Sequence, residues 1–318
     1  MKKMCRMLLA TALMLALPGL AAAAWPSKTI KIIVPFSAGG GADLMARALA
    51  PELSKALGVS VVVENAPGGG GAIAMAKLAN AKPDGYTIIH TTIGPATLTP
   101  NSSDVGYTNK EFAPVAQVAD VPNVIAVHKD SGIKTLKELF EKAEKENVTY
   151  GTSGAGLTQN VQMEGLFLSI DKPNLLNHIP FNGGSQAIAA LLGKQVDCAV
   201  AIVPEPLPHI KNGTFIGLGI TSAERDPALP DVPTLKEQGY SLAGGVWYGF
   251  AAPAKTPADV IATLEAAFAK ATKEQAIIDA FTKLGNPVQY LDTKAFTEKW
   301  MQTFESNKKV LDLMKAKK

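Results

Sequence analysis

Cysteine is nearly missing from this 318-residue chain, which holds only Cys5 and Cys198. No disulfide framework can hold it, so its stability must come from a packed core. Histidine is scarce too: His90, His128, His178 and His209 share no short spacing, and no metal-ligand pattern emerges. The glycine-rich stretches fit neither G-x-x-x-x-G-K-[ST] nor G-x-G-x-x-G, which argues against a nucleotide. No cofactor, metal or catalytic residue is expected. Charge of one sign is lacking as well. Lys plus Arg number 31 against 28 Asp plus Glu, and the excess is Lys2, Lys3 and Arg6 at the start. A near-neutral body argues against nucleic acid or anionic membranes as partners.

Those three cations precede an apolar run from Met7 to Leu17, then Pro18-Gly19 and Ala22-Ala23-Ala24 before Trp25. This is the layout of a secretory signal cleaved near Ala24. The run is short for a bilayer span, and no later stretch matches its hydrophobicity. The expectation is an exported, soluble, monomeric protein of the periplasm.

What the chain does have is a recurring strand, glycine turn and helix. Ile30-Lys31-Ile32-Ile33-Val34 is a short apolar strand closed by Pro35. Ser37-Ala38-Gly39-Gly40-Gly41 follows, and then Leu44, Ala48 and Leu49 recur at helical spacing. The helix start points at whatever sits on the turn, and its free N–H groups and positive dipole end suit an anion. Asp43 in the first turn adds a negative charge, so an anion would have to sit on backbone amides or waters. The alternative is that the glycines merely permit a tight turn.

The pattern repeats. Val59 to Val63 predicts a strand, Asn65 to Gly71 a glycine turn, and Ile73, Met75, Leu78 and Ala79 a helix. Tyr86 to Thr92 reads as a strand ending in hydroxyls. Phe112–Val121 and Asn123–Val127 are apolar runs split by Pro122. Thr135-Leu136-Lys137-Glu138 is a capping box. Val148 to Thr152 leads through Ser153-Gly154-Ala155-Gly156 into a helix, and His178 to Ser185 leads into another. Val196 to Val203 and Phe215 to Thr221 read as strands, and Thr234 to Glu237 as a second capping box. Val246 to Ala252 is the return crossing. Thr256-Pro257-Ala258-Asp259 predicts a capped helix start for one helix running to Leu284, with a last helix from Thr293.

Strands and helices alternating in this way imply parallel, doubly wound α/β sheets, with ligands beyond the carboxyl ends of the strands. Two such lobes with two crossings make a hinged cleft. None of its four loops carries an arginine, which leaves neutral donors and waters to hold an anion. Boundaries are expected at residues 25–124 and 249–318 for the first lobe and 125–248 for the second. Trp247 and Tyr248 could line the cleft or pack the hinge. A different reading is an exported serine hydrolase using Ser153, Asp197 and His209.

The phrases IKIIVPFSAGGGADLMAR, VVVENAPGGGGAIA, KPDGYTII, YGTSGAG, PFNGGSQAIAALLGKQVD, DVPTLKEQGY and VWYGFAAPAKTP, in this order, resemble the Bug family. These are extracytoplasmic solute-binding proteins of tripartite tricarboxylate transporters. The resemblance implies a type II periplasmic binding-protein (Venus-flytrap) fold and a small carboxylate ligand (di- or tricarboxylate, aromatic or amino-acid). It also implies large and small membrane permease subunits as partners. Another importer or a sensor kinase would be served by the same fold. In such proteins the first-loop backbone and bridging waters hold one ligand carboxylate. That implies Phe36, Ser37, Ala38, Gly39 and Gly40, with Asp43 beside them. Asn65, Gly68, Gly69, Thr91 and Thr92 would contact the rest, with Thr152, Ser153, Gly154, Ala155 and Thr158 across the cleft. Phe181, Asn182, Gly183 and Ser185 would form the far wall, and Asp197 would lie near the cleft or crossing. Ser37 and Ala66 depart from the proline and arginine common in the family.

Overall fold

The computed structural model describes residues 25–181, 183–240 and 244–316. The proposed signal (1–24) and Asn182 lie outside the described residues.

The chain builds two α/β units around two sheets. The first sheet has the order β11-β4-β10-β3-β1-β2. Its strands are β1 (Ile30–Val34), β2 (Val61–Asn65), β3 (Thr87–Thr92), β4 (Phe112–Val121), β10 (Val246–Pro253) and β11 (Val288–Leu291). The second has the order β7-β6-β8-β5-β9, from β5 (Asn123–His128), β6 (Thr149–Thr152), β7 (Asn177–Pro180), β8 (Cys198–Ile202) and β9 (Phe215–Ile220). β1 runs parallel to both β2 and β3, and β6 parallel to β7 and β8. The crossing strands β10 and β5 are antiparallel to their neighbours. The fold is the two-lobe α/β architecture expected, with each sheet mixed rather than wholly parallel. The second sheet takes up the chain at Asn123, and the first takes it back at Val246.

Nine helices of five residues or more matter to the site: α1 (Gly41–Leu57), α2 (Ala72–Ala79), α3 (Leu136–Ala143), α4 (Thr158–Ser169), α5 (Gly184–Leu192), α6 (Leu207–Lys211), α7 (Ala258–Ala271), α8 (Gln275–Lys283) and α9 (Thr293–Ala316). α1 forms because Ala42, Met45, Ala46, Leu49 and Leu53 recur on one face. That face is buried with Ile30, Ile32 and Phe250 in the first-lobe core. The second core gathers Leu136, Leu139 and Phe140 of α3 with Tyr150, Phe167 and Cys198. α3 begins with the Thr135–Glu138 capping box read from the sequence.

Two expectations fail locally, and a third, the second capping box, forms without a helix behind it. Thr256 does not cap a helix: its Oγ1 is buried without a partner, and α7 starts after Pro257 with no side-chain cap. The stretch to Leu284 is two helices, α7 and α8, parted at Thr272–Glu274. Thr234 and Glu237 exchange both capping bonds (3.0 and 2.7 Å), but only a turn follows, because Leu235 must turn back into the second core.

The lobes meet at the crossings, along a helix seam, and where Pro204 lies against Gly285. The crossings touch backbone to backbone, and a Cβ at Gly245 would fall on the Val121 carbonyl. On one side α9 lies on α4, where Leu98, Val161 and Leu311 form an apolar seam. A hydrogen-bond chain ties this hinge to the second lobe. Asn123 Nδ2 donates to Gln162 Oε1 (2.7 Å), and Gln162 Nε2 donates to the Gly244 carbonyl (2.9 Å). Gln159 Nε2 donates to Asn123 Oδ1 (3.1 Å), and Gln159 Oε1 accepts from Ser153 (2.8 Å).

Candidate functional site

The first loop lies between β1 and α1, with Ser37 to Gly41 exposed. Behind it stands a brace. Asp43 is 1% exposed and accepts from the Gly39 amide (2.8 Å), from Arg47 Nε (3.0 Å) and from Asn65 Nδ2 (2.8 Å). Asn65 also donates to the Phe36 carbonyl (3.0 Å) and accepts from Arg47 Nη2 (2.9 Å). Burial alone would raise the Asp43 pKa, but Arg47, the Gly39 amide and Asn65 together hold it below the usual carboxylate range.

Asp43 and Asn65 thus brace the loop from behind, with Asp43 beside it and the Asn65 amide turned onto Asp43 and the Phe36 carbonyl. The Gly39 amide is spent on Asp43, and that of Gly40 donates to the Ser37 carbonyl (3.4 Å). The amides of Gly41, Ala42 and Asp43, in the first turn of α1, meet no backbone acceptor among the described residues. They are open donors beside the first loop.

Gly68 and Gly69 lie in the turn before α2, both at positive φ, beside Ile73 and Ala72. Thr91 and Thr92 cannot both face the cleft, since neighbours on a strand point to opposite faces. The Thr91 hydroxyl is buried and donates to Met75 Sδ (3.4 Å). Thr92 sits opposite Tyr248 of β10. Trp247 is 1% exposed and stacks among Phe296 and Trp300, so it is core.

In the second lobe the turn after β6 is similarly committed. Thr152 Oγ1 lies 2.7 Å from His178 Nε2 and receives the Gly154 amide (3.3 Å). The Gly156 amide donates to Asn160 (2.9 Å), and that of Gly183 to the Ser153 carbonyl (3.1 Å). Ala155 and Ser185 are exposed, while Phe181 packs half-buried by Gly151. Thr158, Gln159 and Asn160 open α4, and their amides lack a backbone acceptor among the described residues. Beside these two glycine turns, one in each lobe, the helix starts thus present amides without a backbone acceptor among the described residues, as Gly184 and Ser185 of α5 also do.

Asp197 belongs elsewhere. It precedes β8 and accepts from the Thr149 amide and hydroxyl (both 2.8 Å), at the end of the strands opposite Thr152. This also dissolves the hydrolase triple. Ser153 donates to Gln159, Asp197 holds Thr149, and His209 stacks on Phe215.

Residues 45–315 match the family described as "Tripartite tricarboxylate transporter family receptor". The chain belongs to that family. Among curated relatives it is 31% identical to the protein BugT of Bordetella pertussis over 293 residues, 89% of each chain. Among solved structures it is similar to a TctC solute-binding protein from Polaromonas without ligand. The TM-score is 0.85 at 30% identity, over 91% of this chain and 99% of the other. It is also similar to MatC of Rhodopseudomonas palustris with bound malate, with a TM-score of 0.70, 28% identity and coverage of 90% and 100%. Family and neighbours are binding proteins. Among the described residues no helix is long and apolar enough to cross a membrane.

The sequence missed one residue that the geometry brings to this region. Glu205, in the turn after β8, lies against the start of α5. The signal was present in Pro204-Glu205-Pro206, an acid beyond the carboxyl end of a strand, where ligands of α/β sheets sit.

Proposed function

We propose that this receptor works in the periplasm, after loss of residues 1–24. It captures one small carboxylate between residues 25–124 with 249–318 and residues 125–248, and hands it to the large and small permease subunits. The observation that supports this most is the pair of open helix starts, Gly41–Asp43 and Thr158–Asn160. Three amides and a dipole end in each lobe complement an anion, and holding it from both sides favours closure. Arg47 adds its charge from behind the loop through Asp43 and Asn65 and is not aimed at the ligand. The malate bound by the similar MatC is of the same chemical class.

A single donor can be deleted to test this. Gly41 is the first residue of α1, where proline is tolerated, and Gly40 already has the extended backbone (ψ 163°) that a following proline requires. Gly41→Pro should leave unfolding unchanged and weaken binding of a carboxylate about tenfold or more. The ligand would come from a thermal-shift screen of carboxylates on protein refolded free of carried-over ligand. Unchanged affinity by calorimetry would count against the site.

A further inference from the structure

A ligand amine would need an acid, and the first loop offers only Asp43, which is taken up by Gly39, Arg47 and Asn65. Glu205 is a second carboxylate, and its surroundings come from both lobes. Pro204 packs against Gly285 of the first lobe, next to Asn286, whose amide lies beside Gly41 at the start of α1. On the second-lobe side the carboxylate lies so close to Gly184 that an added Cβ would overlap it. Tyr248, opposite Thr92, has its phenol pushed up to about 12, by burial first and then by the Glu205 charge. Glu205 thus stands at the start of α5, next to the residue that touches the first lobe, with its charge reaching Tyr248. It also lines a cavity of about 270 Å³ with Ser185, Ile188, Ala189 and Leu192 of α5 and with His209.

Among the described residues no cationic side chain pairs with this charge. None of the ion pairs among the described residues includes Glu205. Burial raises its pKa, and the Ile202 amide is the group that opposes this. A half-buried carboxylate without a cation, facing both lobes, is a receptor for a cation.

Resting on the carboxylate-receptor reading, we propose that Glu205 determines specificity by pairing with a protonated amine, so that the ligand is a small amino carboxylate. Its carboxylate sits on the helix-start amides and its ammonium on Glu205. A dicarboxylate without the amine would bring a second negative charge against Glu205 and be rejected.

The test uses matched probes that differ only in the amine: L-aspartate against succinate, and L-glutamate against glutarate. Calorimetry on the refolded full protein should show the amine-bearing member of a pair binding about tenfold or more tightly. Glu205→Gln keeps the shape and should collapse that preference, mainly by weakening the amino acid. Glu205→Asp should restore part of it, which loss of mere packing would not allow. An amine-free member that binds wild type as tightly as its partner, or a preference that survives Glu205→Gln, would overturn the role of Glu205 alone. If no member of either pair and no carboxylate in the screen binds wild type, the receptor reading fails and this inference fails with it.

Discussion

Deleting the Asp43 carboxylate separates two accounts of the first loop, because they predict opposite signs. Electrostatics alone treats Asp43 as a nuisance beside an anion site. A unit charge about 8 Å from a bound carboxylate repels it by ~1–2 kcal/mol at an effective dielectric of ~20–40. Asp43→Ala would also leave Arg47 uncompensated, so the anion should bind about fivefold or more tightly. The brace predicts the reverse. The carboxylate is 1% exposed and takes donors from Gly39, Arg47 and Asn65. Hydrogen bonds to a charged group contribute about 1.5–3 kcal/mol each. Arg47 has a half-exposed side chain, so its share is discounted to under about 1 kcal/mol. The Gly39 amide can turn to water in its exposed loop, which discounts that share as well. About 2–4 kcal/mol of unfolding free energy should be lost in total. Carboxylate affinity should fall about tenfold or more as Ser37 to Gly41 lose their fixed course. Urea unfolding followed by circular dichroism, with calorimetry on the carboxylate from the screen, measures both. A variant within about 0.5 kcal/mol of wild type that binds as well or better would refute the brace.

Two further outcomes are expected. His90 is fully buried, stacks on Phe250 and has its Nδ1 against the Ala42 carbonyl, and burial pushes its pKa down to about 4. The unfolded chain protonates near 6.5, so this contribution is complete above that pH and is lost as pH falls toward 4, by up to about 3 kcal/mol. Wild type should lose more stability than His90→Gln between pH 7 and 5 in urea unfolding, and equal losses would contradict the assignment. Asn123→Ala leaves Gln162 and Gln159 without their buried partner at the hinge. It should cost about 2–3 kcal/mol and broaden the distribution of lobe separations in solution scattering, whereas an unchanged profile would clear the network of any hinge role.

The strand–turn–helix units were legible because their apolar spacing is local: Ile30 to Val34 and the Met45–Leu49–Leu53 face need only neighbours to reveal them. The Thr135 cap was legible for the same reason. Thr256 makes no cap bond, and Thr234 makes both of its bonds yet starts only a turn, because the packing of the following residues decides whether a helix follows. Within the candidate site, the glycine loops were legible but not the direction of their side chains. Asn65 and Thr91 turn toward Asp43 and Met75, partners 22 and 16 residues away, which no local pattern announces. Asp197, which the resemblance placed near the cleft or crossing, instead holds Thr149, a partner 48 residues away that no local pattern announces. Glu205 was overlooked because its significance comes from Gly184, Tyr248 and the loop at Gly285, all distant in sequence.

The seam of α9 on α4 matters for anyone handling the protein. Leu311 stands five residues from the last described position of α9, yet it packs with Val161 of the opposite half. Trimming that tail, or crowding it with a purification tag, would shift the balance between gaping and shut forms without disturbing a single ligand contact. Dissociation constants measured on differently ended versions of this molecule would then disagree for a mechanical reason, and a marker placed elsewhere would reconcile them.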